Sequence, residues 1–299
     1  MQIRAYAKIN WSLDTVGVRE DGYHLLDMVM QSVSLHDTLT VEPAESLSLA
    51  ADGAVRVPVN GDNLVLRAAE ALRAHAGIQA GAAIRLHKRI PSGAGLGGGS
   101  SDAAAILRAL NQLWNLRYPL ETLCEIGLKL GADIPYCLHG GLCRVQGIGE
   151  IIAPLPVHRA YQLVIIQPCR GLSTKQVFTA LGQADSLRRP DTAQVAAALE
   201  SGDLSHLAAA MGNTLQEVSV PLRPEIRAAI TALRERGARA AQMTGSGSAV
   251  FGVFASADAA RTAWKALSKR YRACHLAHTL MNEAEEEKRA LRKKSMQGL

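Results

Sequence analysis

Residues 91–101 read PSGAGLGGGSS, with glycine at positions 93, 95, 97, 98 and 99. Such a run cannot build a core, and each glycine gives up more backbone freedom on folding than other residues do. It is retained where the backbone must adopt positive φ or come close to a ligand. Before it, Ile84, Leu86 and Ile90 suggest a strand ending at Pro91. After it, Ala103, Ile106, Leu107, Leu110, Leu113 and Trp114 recur at helical spacing. The order is therefore strand, glycine loop, helix. Free N–H groups at a helix start carry partial positive charge, so this arrangement is an anion site best suited to phosphates. Ser100 or Ser101 is placed to cap the helix, and either hydroxyl can reach a phosphate or its metal. Lys88 and Arg89, just before the loop, add positive charge.

Familiar phosphate motifs fit poorly. Gly93, Gly95 and Gly98 satisfy GxGxxG, but no acidic residue ends a second strand about 20 residues on, as a dinucleotide fold requires. No lysine closes the loop as in a P-loop, and the protein-kinase catalytic loop and DFG are absent.

The 299 residues suggest two domains, and 48% hydrophobic content supplies a sizeable core. We place the division at Pro154 and Pro156, giving 1–155, 156–281 and a charged tail over 282–299. At the N-terminus Ile3, Ala5, Ala7, Ile9, Trp11 and Leu13 alternate with polar residues, predicting a strand with one buried face. Lys8 and Asn10 then share the polar face, and 16–22 reads as a turn. Helices are expected over 63–76, with Asn63 as cap and Gly77 past the end, and over 120–130. The second half reads as a strand over 161–167, helices over 174–181, 192–200 and 224–236, strands over 239–243 and 249–254, a helix over 257–271 and a strand over 275–280. That order suggests a β-α-β-β-α-β layer, with helices on one side of an antiparallel sheet.

Mean hydropathy is +0.03. Apolar runs, such as 163–166, fall far short of the roughly 18 residues of a membrane span, and no secretory leader pattern is present. The 33 basic residues against 27 acidic give a net +6, which suits a small anionic ligand, while 4% aromatic content argues against an RNA-stacking surface. The five cysteines, 124, 137, 143, 169 and 274, include no CxxC pair, so zinc and thiol-redox sites are not expected and free thiols in a reducing cytosol are. His275 and His278 lie on an expected strand and read as structural, and no protein metal cage is visible.

The loop matches Pro-x-x-x-Gly-Leu-Gly-x-x-Ser-Ser in full, and on it the chain resembles the GHMP small-molecule kinase superfamily. Further blocks narrow the likeness to the branch acting on a cytidine diphosphate-linked methylerythritol: AKIN over 7–10, Gly17, Arg19, DGYH over 21–24, Gln31, GADIP over 131–135, GIGE over 147–150, and TGSG over 244–247 with Phe251. Together they span 5–251, and the tail lies outside them.

The resemblance implies an α+β fold of two domains with the active site in the cleft between them. The first is an ATP-binding domain like domain 2 of ribosomal protein S5, and the second is ferredoxin-like. It implies transfer of the γ-phosphoryl group of ATP, with Mg²⁺, to the substrate's 2-hydroxyl, in the non-mevalonate route to isoprenoid precursors. Asp133 is then the general base and Lys8 its partner. Pro91, Ser92, Gly93, Ala94, Gly95, Leu96, Gly97, Gly98, Gly99, Ser100, Ser101 and Lys88 bind ATP. Asn10, Tyr23, His24, Thr174, Phe178, Gly245 and Ser246 bind substrate, with His24 and Asn10 near the cytosine and Phe178 packing on it. Read alone, Asp133 also fits a helix cap, Phe178 a helix core position, and 245–247 a plain hairpin turn. A cytoplasmic enzyme, monomer or weak homodimer, with no nucleic-acid or membrane partner, completes the expectation.

Overall fold

The computed structural model describes residues 1–182 and 187–281, so the charged tail lies outside the described residues. The chain opens with two long antiparallel strands, β1 (Gln2–Val18) and β2 (His24–Ala44). β1 continues through Val18, so the turn falls at 19–23 rather than 16–22. Nothing in the sequence reading anticipates β2. Its polar residues Asp27, Gln31 and Asp37 interrupt the apolar pattern because each is bonded to another element. β2 also organises the sheet. One end pairs with β5 (Leu142–Gly147), and the other with β4 (Gly81–Lys88). β3 (Leu47–Gly53) runs parallel to β4, and β6 (Ile151–Pro154) antiparallel to β5.

Against this sheet lie α1 (Leu64–Ala76), α2 (Gly98–Leu113), α3 (Leu120–Leu128) and α4 (Ile134–His139). α2 is central, touching β1, β2 and the other three helices, and its Ala103–Leu107 stretch is wholly buried. Alanine-rich packing lets the sheet approach closely and holds the glycine loop at the helix start. α1 has the expected cap: Asn63 accepts a 2.9 Å bond from the Val65 N–H, and Gly77 closes the end at φ 63°.

In the second half β7 (Gln162–Gln167), β9 (Ala240–Met243), β10 (Val250–Phe254) and β11 (Ala273–His278) form an antiparallel sheet ordered β11-β7-β10-β9. α9 (Pro224–Glu235) and α10 (Ala257–Leu267) pack on it, completing the β-α-β-β-α-β order. The α10 helix ends at Leu267 and β11 begins at Ala273, each a few residues earlier than expected.

The crossover from β7 to α9 holds α5 (Thr174–Leu181), α6 (Thr192–Ser201), α7 (Leu204–Ala210), the two-residue β8 (Gly212–Asn213) and α8 (Thr214–Leu222). β8 pairs with β1, which ties the crossover into the first sheet to make seven strands. This corrects the one-sided reading of β1. Every residue over 5–15 is buried: Lys8 lies on the glycine loop, Asn10 bonds to Thr244 and Asp14 to Thr214 of α8, while α6 packs in one cluster with Ala7, Ile9 and Trp11. Three register shifts along the β1–β2 pairing also break strict alternation. The polar residues of β1 thus sit between the two halves of the molecule.

Candidate active site

A cavity of about 480 Å³ opens between the two halves. From the first half it is lined by Lys8, Asn10, the glycine loop, the 57–64 segment and Asp133. From the second come Leu172, Thr174, Phe178, Gly245 and Ser246.

α2 starts at Gly98, and its N-cap is Gly97 at φ 69°, so neither serine caps the helix. The first amides of a helix have no partner within it. Here they belong to residues that line the cavity, which gives an anion the positive end of α2 to face. Ser100 lines the cavity, but Ser101 does not: its Oγ donates a 2.7 Å bond to the Tyr6 carbonyl. Leu96 also turns away into the core, while its carbonyl accepts a 3.0 Å bond from the Lys8 N–H. Gly95, at φ 77°, meets the opposite half, and a Cβ there would stand 2.2 Å from the Thr244 carbonyl oxygen. The loop and the 244–249 turn are therefore packed backbone to backbone.

Lys8 and Asp133, 125 positions apart in the chain, meet at the cavity with Nζ 3.7 Å from Oδ2. The Lys8 stem lies on Gly97, so the ammonium is held beside the helix start. Asp133 occupies the cap position of α4 yet makes no capping bond, which leaves its carboxylate facing the cavity. Asn10 lines the cavity, and its side chain bonds to both halves of the molecule. Its Oδ1 accepts from Lys8 Nζ at 2.9 Å, from Thr244 Oγ1 at 3.1 Å and from the Gly245 N–H at 3.0 Å. Its Oδ1 thus positions Lys8 and the 244–249 turn, while Nδ2 reaches Met28 Sδ at 3.4 Å.

The sequence reading missed two further residues here. Lys88 is buried between Asp37 and Asp102, bonded to Asp37 Oδ2 and, at 2.7 Å, to Asp102 Oδ2. Burial alone lowers a lysine pKa, but the two carboxylates outweigh it and hold the ammonium charged. Burial raises the Asp102 carboxyl to about 8, with Lys88 opposing and Asp37 reinforcing. The charge of Lys88 is therefore already neutralised, contrary to its expected role as an extra cation for phosphate. Asp37 also accepts the N–H groups of Arg89 and Ile90, pinning the chain just before the loop. A lone Asp in an unrecognised strand carries no local signal. Asp102, directly after the two serines, is visible only in hindsight. Arg89 lines a separate cavity.

The remaining residues divide. Tyr23 is 58% exposed and does not line the cavity. His24 stacks on Phe178, with centroids 4.7 Å apart and planes at 23°, at the rim. The gap between these two rings is closed. Thr174 and Ser246 bridge the cavity mouth, Oγ1 to Oγ 3.2 Å.

An anion cradle facing a lysine and a carboxylate across a water-accessible cleft defines a phosphoryl-transfer site. Comparison with known proteins agrees. The family model described as GHMP kinases N terminal domain matches 63–141, and that described as GHMP kinases C terminal matches 195–273. The chain is 40% identical to the 4-diphosphocytidyl-2-C-methyl-D-erythritol kinase of Alkaliphilus metalliredigens, covering 92% of this chain and 95% of the relative. It is 44% identical to the enzyme of the same name from Pelotomaculum thermopropionicum, covering 90% and 92%. A crystal structure of 4-(cytidine 5'-diphospho)-2C-methyl-D-erythritol kinase superposes with a TM-score of 0.80 at 35% identity, over 93% of this chain and 99% of that one.

The chain belongs to the GHMP kinases, whose phosphate donor is ATP, and within them to the branch of relatives named 4-diphosphocytidyl-2-C-methyl-D-erythritol kinase. It is a small-molecule kinase with the two-part α+β fold of that family. Among the described residues no helix is long and apolar enough to cross a membrane.

Proposed function

We propose that the chain transfers the γ-phosphoryl group of ATP to the 2-hydroxyl of 4-diphosphocytidyl-2-C-methyl-D-erythritol, a cytoplasmic step of the non-mevalonate route. The observation that carries this reading is the Lys8–Asp133 pair, at 3.7 Å, opening into the same cavity as the start of α2. The relatives' names supply the substrate.

The chemistry follows from the residues. A tertiary alcohol is a weak nucleophile at pH 7, and phosphoryl transfer concentrates negative charge on the equatorial oxygens. Asp133 accepts the hydroxyl proton as the new O–P bond forms. The bond from phosphorus to the β-phosphate oxygen breaks, and ADP leaves. Lys8 stabilises the anionic oxygens and, through Asn10, is kept in place without a mobile side chain. The glycine-loop amides and the positive end of α2 hold the triphosphate. Mg²⁺ takes hard oxygen donors. Asp102 Oδ1 is buried without a hydrogen-bond partner, and Asp102 lines the cavity beside Ser100, so these two residues fit the ion. When bound, it supplies neutralisation of the phosphate charge.

A panel of 4-diphosphocytidyl-2-C-methyl-D-erythritol, mevalonate and homoserine with ATP tests the proposal by ADP release. Turnover of the cytidyl substrate alone is expected, and preference for either other alcohol overturns the assignment. Phe178 gives a finer check. If it packs on the base, Phe178→Ala raises the KM for the cytidyl substrate about tenfold, in keeping with roughly 1–3 kcal/mol of base stacking, and leaves the ATP KM unchanged. An unchanged substrate KM assigns Phe178 to core packing instead.

A further inference from the structure

A second cavity, about 620 Å³ in volume, lies on the reverse side of the glycine loop, with Pro91 and Ser92 in the wall between it and the kinase cleft. Arg56, Arg89, Arg170, Arg270 and Arg272 line it, and its lining contains no aspartate or glutamate. Among the described residues none of these five guanidinium groups forms an ion pair. Arg270 lies over the Tyr271 ring at 5.2 Å. Glu225 acts on the wall residue Cys169 from outside the lining, where Arg223 opposes it.

Two further features point to a ligand. Tyr271 and His275 both line this cavity, and the Tyr271 hydroxyl and His275 Nε2 are buried atoms with no hydrogen-bond partner. Buried polar atoms are almost always paired, and leaving one unpaired costs free energy. Burial and the nearby Arg89 hold the His275 pKa low, so the ring is neutral and offers one donor or acceptor rather than a further charge. Like charges gathered around one concavity repel each other, and an anion entering it relieves that repulsion.

We propose that this cavity is a second anion site, separate from the ATP cleft, which takes a small diphosphate-bearing molecule. Guanidinium binds phosphate oxygens in bidentate fashion, and five of them exceed what one phosphate can engage. The volume leaves room for an organic group beyond two phosphates. The site touches the kinase machinery through backbone. A Cβ on Gly171 of its wall would stand 1.6 Å from the Gly93 carbonyl oxygen, and Gln167 Nε2 donates to the Ser92 carbonyl at 3.3 Å. An occupant therefore rests against the back of the loop that holds the ATP phosphates. Neither the resemblance nor the kinase reaction calls for such a site.

The test is calorimetric titration of the full-length protein, saturated with adenylyl imidodiphosphate, with inorganic diphosphate. One additional binding event is expected, at least tenfold weaker in the doubly substituted Arg270→Gln/Arg272→Gln protein, which keeps its affinity for the ATP analogue because both side chains are solvent-exposed. A butyl diphosphate arm separates the sources. Tighter binding than the inorganic ion assigns the occupant to an organic ester, and equal or weaker binding to the free ion. Absence of binding while the analogue is present, binding unchanged by the double substitution, or orthophosphate binding as tightly as diphosphate each overturns the proposal. None of these readouts depends on the kinase substrate.

Discussion

Asp133→Asn slows kcat at least a hundredfold while leaving the protein folded. Asparagine keeps the shape but removes the charge and the proton-accepting oxygen, and general-base catalysis is typically worth 10²–10⁴-fold. A hundredfold corresponds to about 2.7 kcal/mol of transition-state stabilisation. The fold has little stake in this carboxylate: it caps no helix amide, and its side chain is 39% exposed. Lys8→Ala is expected to match it in size by a different route, through loss of the ammonium beside the start of α2. Asn10 retains its bonds to Thr244 and Gly245 after that change, so the cleft wall stays in register. Steady-state kinetics with circular dichroism as the folding control decides the matter. Near-normal kcat in either variant removes the pair from the chemistry.

The anion-binding half of this site was legible in the sequence because its physics is local. A strand, a glycine run and a periodic helix are contiguous, and the helix start needs no tertiary information to be recognised. Helices with strong punctuation, such as α1 between Asn63 and Gly77, were equally readable. β2 was not, since its polar residues are explained by partners remote in sequence: Asp37 by Lys88, and Asp27 by Arg144. For the same reason the alternation of β1 suggested solvent on one face where the glycine loop, the 244–249 turn and α8 lie. The approach of Lys8 to Asp133 came from resemblance alone; periodicity places each on its own element but cannot bring the two together. The serine cap failed for a local reason that the sequence also contained. Gly97, able to adopt the left-handed conformation, starts the helix four residues before Ser101, which frees that hydroxyl to bond the Tyr6 carbonyl.

Lys88→Met destabilises the protein by about 3–5 kcal/mol at pH 8, the usual cost of removing one partner from a buried charge cluster. Methionine fills much of the space but leaves the Asp37 and Asp102 carboxylates facing each other, both nearly inaccessible to water. The pH dependence gives the mechanism a second readout. Asp102 already has its folded pKa raised from 3.8 to about 8, so the folded state binds more protons than the unfolded one between those values. Stability from this group is fully present below pH 3.8 and is lost as pH rises through about 8. Without the ammonium the carboxyl favours its neutral form still more, so the variant loses less at pH 5, where one proton can be shared between the two acids. Urea unfolding at pH 5 and pH 8 measures both quantities. A loss below about 1 kcal/mol, or the same loss at both pH values, shows that the cluster is not held by its charge. The effect reaches the cleft as well. Asp37 Oδ1 holds the Arg89 and Ile90 amides immediately ahead of the loop, and Asp102 sits in the helix that follows it, so the lysine between them fastens both ends of the phosphate cradle.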